Sequence, residues 1–221
     1  MKIDRQDGPR RRREELANTL THGFGALCGL ASTAVLVTLA VAKGDSFHVI
    51  GAVVFGATLV LLYTASTLYH AAPSPTAKKK LRVVDHASIY LLIAGTYTPI
   101  CLVVLPAPWA LRLLLVVWSM TSVGIAIKVW GADRLLAASN WLYLAMGWLA
   151  ILALPLLLRS MSPVVLSLLL AGGVLYTVGA VLFLFRRPDP RPEVFGYHEV
   201  WHAFTVLAGA SHFTMVALVV G

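Results

Sequence analysis

The 221-residue chain is 58% hydrophobic and only 13% charged, with a mean hydropathy of +0.79. A water-soluble domain carries about 25% charged residues, so composition excludes that class, and apolar blocks of membrane length leave no room for a second, soluble domain. The net charge of +8 would suit nucleic acid, but the basic residues sit at the ends of apolar blocks, which points to a membrane surface instead.

The charged, proline-containing stretch 1–15 reads as a cytoplasmic tail, and 16–221 as one seven-helix transmembrane domain. A cleaved signal peptide is not expected, because the first apolar run is far longer than the hydrophobic region of such a peptide. Crossing the hydrocarbon core takes about 20 apolar residues. Seven stretches qualify: 18–42, 47–70, 84–105, 109–130, 137–158, 162–185 and 198–220. Each must be a helix, because backbone in lipid has to satisfy its own hydrogen bonds. The predicted fold is an all-α integral membrane protein, a seven-transmembrane helix bundle.

The connections are short. Lys43-Gly44-Asp45-Ser46, Pro73-Ser74-Pro75 and Pro106-Ala107-Pro108 join the first four spans, and the proline-rich Arg187–Pro192 precedes the last. If the first residue lies on one side, 15 of the 18 basic residues share that side; only Lys43, Arg112 and Arg159 lie opposite. Basic residues near span ends stay in the cytoplasm. The N-terminus is therefore predicted inside, the C-terminus outside, and the chain multi-pass in the cell's inner (plasma) membrane. Gly51/Gly56 and Gly172-Gly173 are candidates for close helix approach. Cys28 and Cys101 fall in different spans and at different depths, so they read as unpaired small packing residues. There is no internal repeat, and an odd span count argues against a simple inverted-repeat transporter.

The chemistry gathers at one end. The second span closes with Ser66-Thr67-Leu68-Tyr69-His70, the third opens with Asp85-His86, and the seventh opens with Tyr197-His198-Glu199-Val200-Trp201-His202. All lie on the predicted inner side. His198 and His202 are four apart, so both imidazoles can reach one ion from a single helix face. A lone histidine at a span end is ordinarily interfacial. Three at matched depth, with an acid beside them, form a candidate metal site, since ionisable groups in spans are costly and seldom incidental. His70, His198 and His202 leave a fourth tetrahedral position open, the pattern of a catalytic zinc. Asp85 is placed to hold water or orient a ligand, and Ser66 to donate a hydrogen bond.

His198-Glu199-x-x-His202 also spells the zincin string. The longer zincin form wants a glycine and a histidine downstream, where this chain has Thr205 and Ala208, so the third ligand must come from elsewhere. Glu199 then reads as an interfacial group facing the basic loops, in a supporting position at most. His22 is expected to bond within the bundle and line the site. His86 points elsewhere on its helix. His212 lies ten residues past His202, about 15 Å along the helix, too far for the same ion. His48 reads as an outer-surface residue, and the tryptophans as an interfacial belt.

These pieces together resemble the hemolysin III branch of the progestin and adipoQ receptor (PAQR) family, of the bacterial membrane-homeostasis type. The matching segments are Glu15-x-x-Asn18-x-x-Thr21-His22-Gly23, Ser66-x-x-Tyr69-His70, Asp85-His86-x-x-Ile89-Tyr90 continuing to Gly95-Thr96-Tyr97-Thr98-Pro99, and His198-Glu199-x-Trp201-His202-x-Phe204. The resemblance implies seven helices with the N-terminus inside, and Zn2+ held by the residues at His70, His198 and His202, with Asp85 beside the water. It places Glu15, Asn18, His22 and Glu199 in supporting positions. It also implies kinship with alkaline ceramidases, which hydrolyse lipid amides.

The expected function is therefore a zinc-containing protein of membrane-lipid homeostasis, hydrolysing an amide or ester of a membrane lipid or fatty-acyl substrate. A non-enzymatic sensor or regulator with a structural zinc, and a pore-forming lytic protein, are the alternatives. The last ranks lowest, because no file of charges runs through the spans. A retinal protein is excluded, since no lysine follows Lys128.

Overall fold

A computed structural model describes residues 9–131, 133–191 and 194–221; Pro192 and the basic residues Lys2 and Arg5 of the predicted tail lie outside them. The described elements are helical apart from one isolated bridge between Arg191 and Phe195. Among the described residues seven helical stretches are long and apolar enough to cross a membrane, and each overlaps a predicted span. They are built from α1 (Pro9–Lys43), α2 (Ser46–His70), α3 (Pro75–Pro99), α4 (Ala107–Trp130), α5 (Asp133–Gly147), α6 (Leu154–Ser160), α7 (Pro163–Phe185) and α8 (Tyr197–Val220). The fifth span combines α5 and α6.

Part of the predicted tail is helical. Helix α1 begins at Pro9, so residues 9–15 are helical and carry Glu15 to the bundle. Other helix starts follow from capping chemistry, in which a side-chain oxygen meets an otherwise unpaired N–H. Asp45 accepts from Phe47 N at 2.8 Å, Ser74 from Ala77 N at 3.2 Å, and Ser162 from Val165 N at 3.3 Å. Pro75 and Pro163 follow the two serines, where a missing N–H costs nothing.

Two spans are not single α-helices, a departure from the sequence expectation. Pro99 has no N–H to offer Gly95, and the chain runs on as a π-helical turn over Ile100–Val104, with Leu105 N donating to Ile100 O at 3.2 Å. In the fifth span α5 stops at Gly147 and a 3-10 turn covers Leu149–Ala153; Pro155 opens α6. Such a break is tolerated inside a bilayer only if protein satisfies the freed groups. Tyr97 does so. Its hydroxyl approaches Met146 O at 2.9 Å and Gly147 O at 3.1 Å, and accepts from Ala150 N at 2.8 Å.

Helix α8 is the hub, packing on α1, α2, α3 and α7, while α1–α2, α2–α3 and α7–α8 are the most extensive pairs. Along α1 the usual amphipathic sense is inverted. Leu16, Leu20, Phe24, Leu27 and Leu30 are exposed to the lipid side, whereas Asn18 and His22 are buried. Lipid is as apolar as leucine, so polar and small residues, not leucines, mark the helix interface. Gly51 lies against Pro99, Gly56 against Thr33, and Gly172 against the His212 imidazole, with no room for a Cβ; Gly173 faces open space. Both cysteines are free, but Cys28 is exposed and therefore not a packing residue. Trp130 (81% exposed) and Trp141 project outward, as a belt residue would.

Candidate metal centre

His70 ends α2, and His198 and His202 occupy the first two turns of α8. Each offers a ring nitrogen, and these atoms all lie within 4.8 Å of one another. Ring centroids are 5.0 Å apart for His70–His198 and His70–His202, and 4.8 Å for His198–His202, every pair edge to face. Tetrahedral zinc at its usual bond length needs ligand nitrogens about 3.3 Å apart; small rotamer shifts cover the difference. Three histidines can therefore hold a metal ion here.

The donor chemistry fits. His70 Nδ1 lies 2.8 Å from Glu15 Oε2. A carboxylate only accepts, so Nδ1 carries a proton, and the neutral ring then has its lone pair on Nε2. That Nε2 is buried and has no partner, the condition of a ligand atom facing a cation. Glu15 is itself anchored by Lys78, which also stands 5.1 Å over the Tyr69 ring. A carboxylate behind a ligating imidazole fixes its tautomer and raises its basicity. Glu15 was placed only by family likeness; the helical start of α1 puts it within reach.

His22 stacks flat on His202, with centroids 3.6 Å apart and planes 5° from parallel. Thr205 Oγ1 donates its single proton to His202 O at 2.7 Å, so it must accept from His22 Nε2, 3.0 Å away. Tyr63 donates to Thr205 O at 3.1 Å and packs edge-on to His22. His22 thus lies against the face of a candidate ligand, His202, and holds its ring plane. Sequence reasoning missed Tyr63 and Thr205, and Phe183 of α7, whose ring meets His198 at 5.3 Å. Their apolar or generic character gave no signal.

Glu199 requires a correction. It does not face the basic loops: it is 1% exposed. Oε2 accepts from Gly196 N at 2.7 Å, tying down the start of α8, and Oε1 accepts from Asn18 Nδ2 at 2.7 Å. Asn18 and Glu199 thereby join α1 to α8 beside the histidines, by neutral-to-charged hydrogen bonds inside the bundle. The loop reading failed because Glu199 directly follows an interfacial stretch, and sequence alone does not show that α1 covers it.

Ser66 is buried one turn before His70, its side chain beside the Asp85 carboxylate, which also lies within electrostatic reach of His70. Asp85 does not belong to the group of mutually close ligand atoms. His212 lies apart, held by Leu169 O at 3.2 Å and against Tyr176. His48 is less of a surface residue than expected: its side chain is 15% exposed, with Nδ1 3.7 Å from Asp45 Oδ2.

The family model described as "Haemolysin-III related" matches residues 10–213. The chain belongs to the haemolysin-III-related family. It is 36% identical over 204 residues to a Hemolysin-3 homolog of Bacillus subtilis (strain 168), covering 92% of this chain and 93% of that protein. It is 39% identical over 199 residues to Hemolysin-3 of Bacillus cereus, covering 90% and 88%. Membership and the seven apolar helices make it a multi-pass membrane protein of haemolysin-III type.

Proposed function

We propose that this haemolysin-III-type protein is a zinc-dependent intramembrane hydrolase of a lipid amide or ester bond, with its centre near the cytoplasmic leaflet. The observation that carries the reading is the meeting of His70, His198 and His202 beside the Ser66–Asp85 pair. Zinc bound there would supply Lewis-acid activation of water near neutral pH. The rest falls to the chain's own residues. The three imidazoles would hold the ion, and Glu15 fixes His70 in the ligating tautomer. Asp85 accepts the proton of the attacking water and returns it to the departing amine or alkoxide. Ser66 Oγ–H donates to the substrate carbonyl oxygen as charge builds there.

The test pairs metal stoichiometry with lipid hydrolysis on purified protein. Wild type should carry one zinc and release fatty acid from at least one lipid of a broad amide and ester panel. Asp85→Ala should keep the metal and lose activity by about 10²-fold or more, while His198→Ala/His202→Ala should lose both. A zinc-loaded wild type that cleaves no lipid overturns the reading. The same geometry then supports a second one, in which the ion ties α2 to α8 and serves a sensor; the helix-joining bonds of Glu15, Asn18 and His22 favour it. Membrane leakage caused by the protein would instead point to lytic activity.

A further inference from the structure

The inner end of α4 carries a cation that the metal centre does not use. Lys128 lies two residues from the end of its helix, where a lysine ordinarily extends its amine to the interface. Here it is 8% exposed. Its Nζ donates to Asn140 Oδ1 at 3.0 Å and stands 5.1 Å from the centre of the Tyr143 ring. Both partners are neutral, and among the described residues no carboxylate pairs with it. An ammonium drawn out of water without a counter-charge is costly, and a buried ionisable group in a span marks function by default.

The surroundings add positive character. Arg82 lies within electrostatic reach of Lys128, and His86 within reach of both. His86 also lies within reach of His198, so this cationic group adjoins the metal centre. Tyr143 links the two: its hydroxyl donates to His86 O at 2.9 Å, and it lies within electrostatic reach of Asp85. The two positive charges, Lys128 and Arg82, concentrate anions in a low-dielectric wall, and the His86 imidazole adds a hydrogen-bonding group and no charge.

We propose that Lys128, with Arg82 and His86, forms a subsite for an oxyanion, a phosphate or carboxylate, borne by the lipid that the metal centre handles. This rests on the lipid-handling reading of that centre. A lipid is favoured as the source because the neighbouring Val129 and Trp130, at the same helix end, are exposed apolar side chains. Lysine and arginine supply the charge-assisted hydrogen bonds such a group needs. Asn140 holds the amine in place while the subsite is empty.

The test measures binding on the full-length protein in maltoside micelles, using dioleoyl phosphatidate, oleate, diolein and inorganic phosphate as probes. Wild type should bind phosphatidate or oleate at least tenfold tighter than diolein. Lys128→Met should lose that preference, whereas Lys128→Arg and the exposed-surface control Lys79→Gln should keep it. If Lys128→Met does not fold, exposed Arg82→Gln carries the test, with a severalfold loss expected. Equal binding of anionic lipid by wild type and both variants overturns the proposal, and binding of inorganic phosphate without a lipid preference overturns the lipid assignment. The same measurement on His198→Ala/His202→Ala separates the two readings: a preserved preference in a protein with no turnover sustains the subsite and sinks only the hydrolase.

Discussion

At the residue scale, the centre is decided by which nitrogen of each imidazole is free. Glu15 takes His70 Nδ1 and leaves Nε2 available to an ion. Thr205 and Tyr63 hold His22 flat against His202. Removing the charge behind a ligand weakens the ligand, typically by 10–100-fold in metal affinity. Glu15→Gln should therefore lower zinc affinity by about tenfold, and Glu15→Ala by more, as read by competition with a chromogenic chelator. Unchanged affinity in both variants would show that His70 is oriented by something else.

At the scale of elements, α7 and α8 approach closely because Gly172 leaves room for the His212 ring. His212 repays this closeness with a bond to Leu169 O, and Ser211 adds one to Leu168 O at 2.9 Å. A methyl group at 172 has no space, and overpacking of this kind costs about 1–3 kcal/mol. Gly172→Ala should lower the melting temperature in detergent, while Gly173→Ala, directed into open space, should leave it nearly unchanged. Equal melting of the two variants would remove the close-approach argument. The broken fifth span follows similar logic, with Tyr97 of α3 replacing the backbone partners that Gly147 and Pro155 interrupt.

At the scale of the whole molecule, the asymmetry of basic residues predicts which end faces the cytoplasm, and with it which leaflet meets the candidate metal centre. A C-terminal alkaline phosphatase fusion should be active, and a C-terminal fluorescent-protein fusion dark. The opposite pattern would place the histidines at the outer leaflet and exclude a cytoplasmic-leaflet substrate. Burial in this molecule runs against the soluble habit, with leucines outward on α1 and Asn18, His22 and Glu199 inward.

The sequence by itself determined the seven spans, the predicted orientation and the candidate ligands His70, His198 and His202. Long apolar runs and ionisable groups inside them are strong, local signals that need no knowledge of partners. Tertiary structure alone decided that Glu15 stands behind His70, that Glu199 is buried against Asn18, and that Lys128 is withdrawn from the interface. Each of those facts depends on which neighbouring helix covers a side chain. A single span's sequence carries no record of its neighbour's register, because in lipid the packing is set by close steric fit and not by a hydrophobic stripe.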